Sequence, residues 1–359
     1  MFFSIIIPIY NVARFIHSGL HCISEQTFAD YEVILVDDGS TDNSPILCDE
    51  AAAVDDRIKV IHSENLGSGP ARNKGIDAAQ GDYLLFFDID DVLHENALEI
   101  IHNRIKQFSN PDLLVFSYRE IDVAYNTTAN YLFNPNFFNS NEELRINYVE
   151  ELSGVRFNNG FVWNKAYSRE FIIDKNIRFE ALRIQQDEVF NIEVYKNVDT
   201  VAVVNDILYD YYVYSSGNTR SRFIHDRLAI YQRVRDSLLS LNAKWHLDDA
   251  RFTNYIHKRY INSVITYLNF NIYHVDNPGT LSDKHSELFK VVKSAEVRLS
   301  VGHLKQEDII GPLLIRRLYF LSLKKSSPLL YLTARKLDLS LTKTKFLIKN
   351  ILSSCQSRG

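Results

Sequence analysis

Buried-strand runs and helical patterns alternate along the first half of the chain. Phe2 to Pro8 is apolar except for Ser4 and reads as a strand covered on both faces. Pro8-Ile9-Tyr10-Asn11 ends it, and Val12, Phe15, Ile16, Leu20 and Ile23 then mark one face of a helix. A second strand, Tyr31 to Val36, runs into Asp37-Asp38-Gly39-Ser40-Thr41-Asp42. A helix from about Ser44 to Ala53 and a third strand, Ile58–Ile61, follow. The glycine-bearing loop Glu64 to Gly75 opens the next helix, and Tyr83 to Phe87 is a further buried strand. Beyond it the pattern predicts a helix over Asn96–Gln107 and a strand over Leu113–Ser117. Ile121–Ser140 reads as loop or short antiparallel strands. A short helix at Arg169–Asp174, a helix opening at Ile184–Phe190, and two short strands, Val201–Val204 and Ile207–Tyr214, come next. From about His225 the spacing is helical over Leu228–Leu241, Asn254–Ile272 and Ser286–Val301.

Strands alternating with helices at this spacing predict an α/β fold, a Rossmann-like, mostly parallel sheet flanked by helices. The change to an all-helical pattern places a domain boundary near residue 220, giving domains 1–220 and 221–359. Open sheets of this kind bind ligands beyond the carboxyl ends of their strands. Three polar clusters fall at those ends: Pro8–Asn11, Asp37–Ser40 and Asp88–Asp91.

The last cluster carries the sharpest chemistry. Side chains alternate along a strand, so Asp88 and Asp90 are expected to point the same way as the chain leaves the sheet. Two like charges that close repel unless a cation sits between them. A hard divalent ion with oxygen ligands, Mg²⁺ or Mn²⁺, answers that need and can hold a nucleotide's pyrophosphate. The alternative is an acidic turn in which Asp90 or Asp91 caps the following helix.

Composition adds bounds. A chain of 359 residues, 46% hydrophobic and 24% charged, is an ordinary globular protein long enough for a core and an appended domain. Cys22, Cys48 and Cys355 have neither metal nor disulfide spacing and fit a reducing compartment. The chain enters a strand at Phe2 with no basic leader or cleavage site, and no run of 18 apolar residues occurs, so neither a signal peptide nor a membrane span is expected. The net charge of −5 is uneven: Val301–Gly359 holds 11 Lys+Arg against 3 Asp+Glu, whereas the remainder holds 29 against 42. Arg316, Arg317, Lys324, Lys325, Arg335, Lys336, Lys343, Lys345 and Lys349 interleave with Leu, Ile and Phe. That tail resembles segments lying on anionic membranes, where each exposed base contributes about 1 kcal/mol. A solvated helical face or a homo-oligomer contact is the other reading, and the sparse aromatic positions argue against nucleic acid.

Taken together, Ser4-Ile5-Ile6-Ile7-Pro8-Ile9-Tyr10-Asn11, Ser24-Glu25-Gln26-Thr27-Phe28, Val36-Asp37-Asp38-Gly39-Ser40-Thr41-Asp42, Gly69-Pro70-Ala71-Arg72-Asn73-Lys74-Gly75 and Gly81–Asp91 resemble glycosyltransferase family 2. These are the inverting nucleotide-sugar enzymes of the GT-A fold. The likeness runs through the first 100 or so residues and continues more weakly, through Val162-Trp163-Asn164-Lys165 and Gln186-Asp187, to about residue 220. It implies residues 1–220 as the nucleotide-sugar-binding and catalytic domain. It also implies a role in bacterial surface glycans such as capsule and O-antigen, at the cytoplasmic face of the cell membrane.

The resemblance implies these residue roles. Asp38 matches the position that holds the uracil ring, and Pro8 and Tyr10 match positions lining the nucleoside; capping and packing are their plainer readings. Arg72 and Lys74 are candidates for phosphate or ribose, or else exposed helix charges. Asp90 would bind Mn²⁺ or Mg²⁺ directly and Asp88 the ribose or a metal-bound water, with Asp91 behind them. Asp187 is the candidate general base. The family's Glu-Asp pair is here Gln186-Asp187, Phe190 keeps the aromatic register, and Glu188 stays open as an alternative base. Trp163 and Lys165 match positions near the acceptor, and core packing or a surface lysine are their alternatives. In Ser216–Arg222, Arg220 and Arg222 are candidate diphosphate cations, and His225 is a candidate metal ligand.

The reading is a metal-dependent hexosyl- or N-acetylhexosaminyltransferase moving sugar from a UDP-sugar to a glycan or lipid-linked saccharide. Its competitors are a sugar nucleotidyltransferase and an inactive nucleotide- or glycan-binding scaffold.

Overall fold

A computed structural model describes residues 1–147, 160–214, 222–246, 250–305 and 314–340. Strands β1 (Phe3–Ile9), β2 (Tyr31–Asp37), β3 (Ile58–His62) and β4 (Tyr83–Phe86) alternate with helices α1 (Ala13–Ser24), α2 (Ser44–Val54) and α3 (Ser68–Ala78). They form the parallel part of one sheet in the order β3-β2-β1-β4. The apolar runs of β1, β2 and β4 are buried, as covered parallel strands require, whereas the edge strand β3 is half-buried.

The rest of the sheet is mixed. After β4 come β5 (Val92–Leu93), α4 (Ala97–Gln107), β6 (Leu113–Asp122), β7 (Thr127–Tyr131), β8 (Asn136–Phe138), α5 (Asn141–Asn147), β9 (Lys165–Ser168), α6 (Arg169–Asp174), α7 (Gln186–Asn197) and β10 (Val201–Val213). The order continues β4-β9-β6-β10-β5, with β9 antiparallel to both neighbours and β10 parallel to β6. The two short strands expected over 201–214 are one strand, β10, whose register against β6 slips between Val203 and Ile207 and again before Tyr209. The polar Asn205-Asp206 pair marks the slip and imitates a strand end. The Ile121–Ser140 stretch supplies β7 and β8, both antiparallel additions.

Compact packing divides the chain into Met1–Arg220 with Ala243–Leu247, and Ser221–Asn242 with Asp248–Gly359. The second unit contains α8 (Arg227–Trp245, ending in the first unit), α9 (Ala250–Thr266) continuing as a π-helical turn over Tyr267–Asn271, α10 (Leu281–Val292), α11 (Ala295–Gly302), α12 (Leu314–Lys324) and a helix over 328–340. The single helix expected over Ser286–Val301 is two, because Ser294 accepts Val297 N–H and starts α11 afresh. Among the described residues no helix is long and apolar enough to cross a membrane.

Candidate active site

The loops after β1 and β2 are knitted into one rim. Asn11, at φ +53°, accepts the Thr41 and Asp42 N–H groups on Oδ1 at 2.8 and 3.3 Å, and its own N–H donates to Ser40 Oγ at 3.1 Å. Pro8 is half-buried beside this rim, and Tyr10 stands 47% exposed. Asp37 turns away to His62 Nδ1 at 3.0 Å and accepts Ser40 N–H. Asp38 does more than end a strand: its two oxygens accept Leu66 N–H at 2.9 Å and Gly67 N–H at 2.8 Å, so it organises the glycine-bearing loop. Each oxygen keeps a second lone pair. Gly39, at φ +72°, closes the same contact, since a Cβ there would lie 2.9 Å from Asn65 N.

The acidic cluster is a turn, not an extended strand end. β4 stops at Phe86, and Asp91 N–H donates to the Asp88 carbonyl at 3.0 Å. Alternation along a strand is therefore not what brings Asp88 and Asp90 together. Asp91 is buried and accepts the Tyr209 hydroxyl at 2.7 Å and Tyr212 N–H at 2.8 Å, which makes it a brace to β10 rather than a helix cap. The N-cap position of α4 is Asn96. Asp90 is half-buried, and the only cation acting on it among the described residues is Arg14, which lowers its carboxyl without forming an ion pair. Burial, and then the negative Asp88, push its carboxyl up to about 6. A carboxylate strained by its neighbour's charge is what an intervening cation relieves, so the pair fits a hard divalent ion. The described residues hold no third His, Cys, Asp or Glu for it. Such sites use one or two carboxylates together with water and substrate phosphate.

Helix α7 supplies the other side. It begins after Gln185, held at φ +59°, and presents Asp187 in its first turn at 24% side-chain exposure. Phe190, one turn on, stacks on Phe179 and meets Phe86 edge-on at 5.8 Å, which fixes α7 against the end of β4. Arg72 bridges the two sides, donating to Asp187 Oδ1 at 2.8 Å and to Asp88 Oδ1 at 3.0 Å. It is 4% exposed. The structure rules out the exposed-helix-charge reading of Arg72: this buried cation pairs with two carboxylates. Its position in the buried stripe Arg72, Gly75, Ile76 of α3 was the signal, because a charge on a buried face must be paired. Lys74 is half-buried. Burial pushes the Asp187 carboxyl up to about 6 against the pull of Arg72. Glu188 is buried, and Gln186 donates to Ser68 Oγ.

Two acceptor-side expectations change. Trp163 is 2% exposed, with its indole stacked on Phe161, Tyr209 and Tyr211 at 4.6, 4.5 and 5.2 Å. Its faces are used in packing, so it is a floor and not a platform for a sugar. Lys165 is buried on β9, donating to the Phe161 carbonyl at 2.6 Å and Asn164 Oδ1 at 2.8 Å. Burial lowers its ammonium to about 7, while Asp187 pulls it upward. It is neither a surface lysine nor an open contact; it holds the 161–164 segment. Tyr209, which ties Asp91 and the Trp163 stack together, was not singled out in the sequence. Arg220 lies outside the described residues, Arg222 is exposed, and His225 is exposed in the second unit.

The sequence profile of glycosyl transferase family 2 matches residues 4–166. Glycosyltransferase GlyG of Streptococcus pneumoniae is 30% identical over 226 residues, 61% of this chain and 73% of that protein. A putative glycosyltransferase, EpsH of Bacillus subtilis, is 29% identical over 235 residues, 64% of this chain and 67% of its own length. The crystal structure of S. aureus TarS 1-349 in complex with UDP-GlcNAc is similar at a TM-score of 0.66 and 19% identity, over 94% of this chain and 91% of that one. That likeness shows the GT-A-like fold.

Proposed function

The chain belongs to glycosyltransferase family 2 and is a glycosyltransferase, and from that premise we propose that it moves a sugar from a UDP-sugar to a hydroxyl of a glycan or lipid-linked saccharide. The supporting observation is the Asp88–Arg72–Asp187 bridge, which sets a carboxylate able to take a proton beside a turn able to hold a nucleotide. Tyr10 and Pro8 line the nucleoside, and the free lone pairs of Asp38 accept the N3–H of uracil. Asp90 and Asp88 would hold Mn²⁺ or Mg²⁺, which supplies charge neutralisation for the departing diphosphate. Asp187 takes the proton of the acceptor hydroxyl. The oxygen then bonds to the anomeric carbon on the face opposite the diphosphate, whose bond to that carbon breaks, and configuration inverts.

Surface polysaccharide such as capsule or O-antigen is the setting we propose, with the protein peripheral on the cytoplasmic membrane face. Exposed Arg316, Arg317, Lys324, Lys325 and Lys336 lie among exposed Leu321, Leu329 and Leu337, a composition suited to an anionic lipid surface. Arg335 is instead stacked on Tyr273 at 3.7 Å, and Lys343, Lys345 and Lys349 lie outside the described residues.

The test is incubation with Mn²⁺ and a panel of UDP-, GDP- and CMP-sugars, following nucleotide release with and without saccharide acceptors. The expected result is turnover of one UDP-sugar, lost with EDTA or in Asp90→Asn, with an inverted product by NMR. A sugar-nucleotide product would identify a nucleotidyltransferase, and absence of nucleotide binding would favour a scaffold.

A further inference from the structure

One buried guanidinium serves two carboxylates that the proposed reaction uses for different purposes. Arg72 Nη2 donates to Asp88 Oδ1 at 3.0 Å and Nη1 to Asp187 Oδ1 at 2.8 Å. Nε–H is buried without a hydrogen-bond partner, and Cζ lies 5.5 Å from the Phe179 ring centroid. The two carboxylates are therefore its anchors. A buried cation cannot go unpaired, so loosening one of these ion pairs throws the guanidinium onto the other.

We propose that Arg72 is a positioning residue that links occupancy of the nucleotide site to the setting of Asp187. When cation and nucleotide engage Asp88, the guanidinium falls to Asp187 and fixes that carboxylate for the incoming hydroxyl. The inference rests on the donor reading above and adds a coupling between its two halves. Coupling of binding is reciprocal. Asp187 must therefore influence affinity at Asp88 through Arg72. Without the Asp187 charge, Arg72 pairs with Asp88 alone, and a cation arriving there has a tighter pair to break. The direct field of Asp187 also favours a cation at Asp88 and disfavours the anionic nucleotide, so a background without Arg72 is needed to separate field from linkage.

The experiment is calorimetric titration of the full chain with UDP at saturating Mn²⁺, for wild type, Asp187→Asn, Arg72→Met and the double variant. Asp187→Asn is expected to weaken UDP about 5-fold or more, the lower range of ordinary site coupling. In the Arg72→Met background that factor collapses toward one. A purely structural arginine would lower stability without producing this non-additivity. Should Arg72→Met fail to fold, Arg72→Lys keeps the charge but loses the two-pronged geometry, and its thermal melt confirms the folded state. There too the Asp187→Asn factor is expected to shrink. An unchanged affinity in Asp187→Asn, or an equal factor in both backgrounds, overturns the linkage while leaving the donor reading intact. A wild type that binds no UDP overturns the donor reading and the linkage with it.

Discussion

The Tyr209 hydroxyl donates to Asp91 Oδ2 at 2.7 Å, and this bond ties the acidic turn after β4 to strand β10. The other Asp91 oxygen takes Tyr212 N–H, so this buried carboxylate is satisfied from two points of one strand. Removing it strands both donors. Asp91→Ala should therefore cost about 2–3 kcal/mol by urea denaturation, and Tyr209→Phe about 1–2 kcal/mol. If Asp91→Ala leaves the midpoint unmoved, the brace is not structural.

The proposed base differs from its neighbour in what it contacts. Asp187, not Glu188, is paired with Arg72, while Glu188 is buried. Asp187→Asn should lower kcat by about 10²–10⁴, the usual worth of general-base catalysis, and Glu188→Gln by far less. Circular dichroism melts of both variants separate chemistry from folding. A larger loss in Glu188→Gln would move the base to that residue.

Much of this was legible in the sequence because it depends on local rules. β1, β2 and β4 are largely apolar runs, broken only by Ser4 and Glu32 before their ends, and those polar ends locate the site through the general behaviour of parallel sheets. Phe190 marked the register of Asp187, and its stacking on Phe179 shows why an aromatic belongs there. Partnership was not legible. Arg72 meets Asp187 across 115 positions and Tyr209 meets Asp91 across 118, and no periodicity encodes such distances. Trp163 shows the same limit: its residue type suits sugar stacking and core packing alike, and the β10 neighbours that decide for packing arrive 46 and 48 positions later.

Helix α1 reaches the acidic turn only because residue 19 is glycine. A Cβ built there would lie 2.4 Å from the Ile89 carbonyl, between Asp88 and Asp90. Backbone cannot rotate away as a side-chain tip can. Gly19→Ala should cost about 1–3 kcal/mol and displace the turn, so that Mn²⁺-dependent UDP binding weakens more than stability alone explains. Equal UDP affinity in a folded Gly19→Ala protein would show that the turn tolerates the shift.

The pH dependence of turnover follows from the Asp187 environment. Burial pushes this carboxyl up to about 6, and Arg72 acts against the rise. A general base works only when unprotonated. With donor, acceptor and Mn²⁺ saturating, a cation at Asp88 and the undivided pull of Arg72 both lower the Asp187 carboxyl, so kcat should fall about tenfold per pH unit below a midpoint under 6 and level off above it. Saturation matters because Asp90 also titrates near 6 in the absence of a cation, so kcat/KM mixes base ionisation with metal binding. Arg72→Lys leaves one ammonium where the guanidinium held two carboxylates, so Asp187 loses part of its stabilising partner. The charged form of Asp187 is then less favoured, and the kcat midpoint should move upward. A midpoint unchanged in Arg72→Lys, measured under the same saturation, would mean that the titrating group is not Asp187.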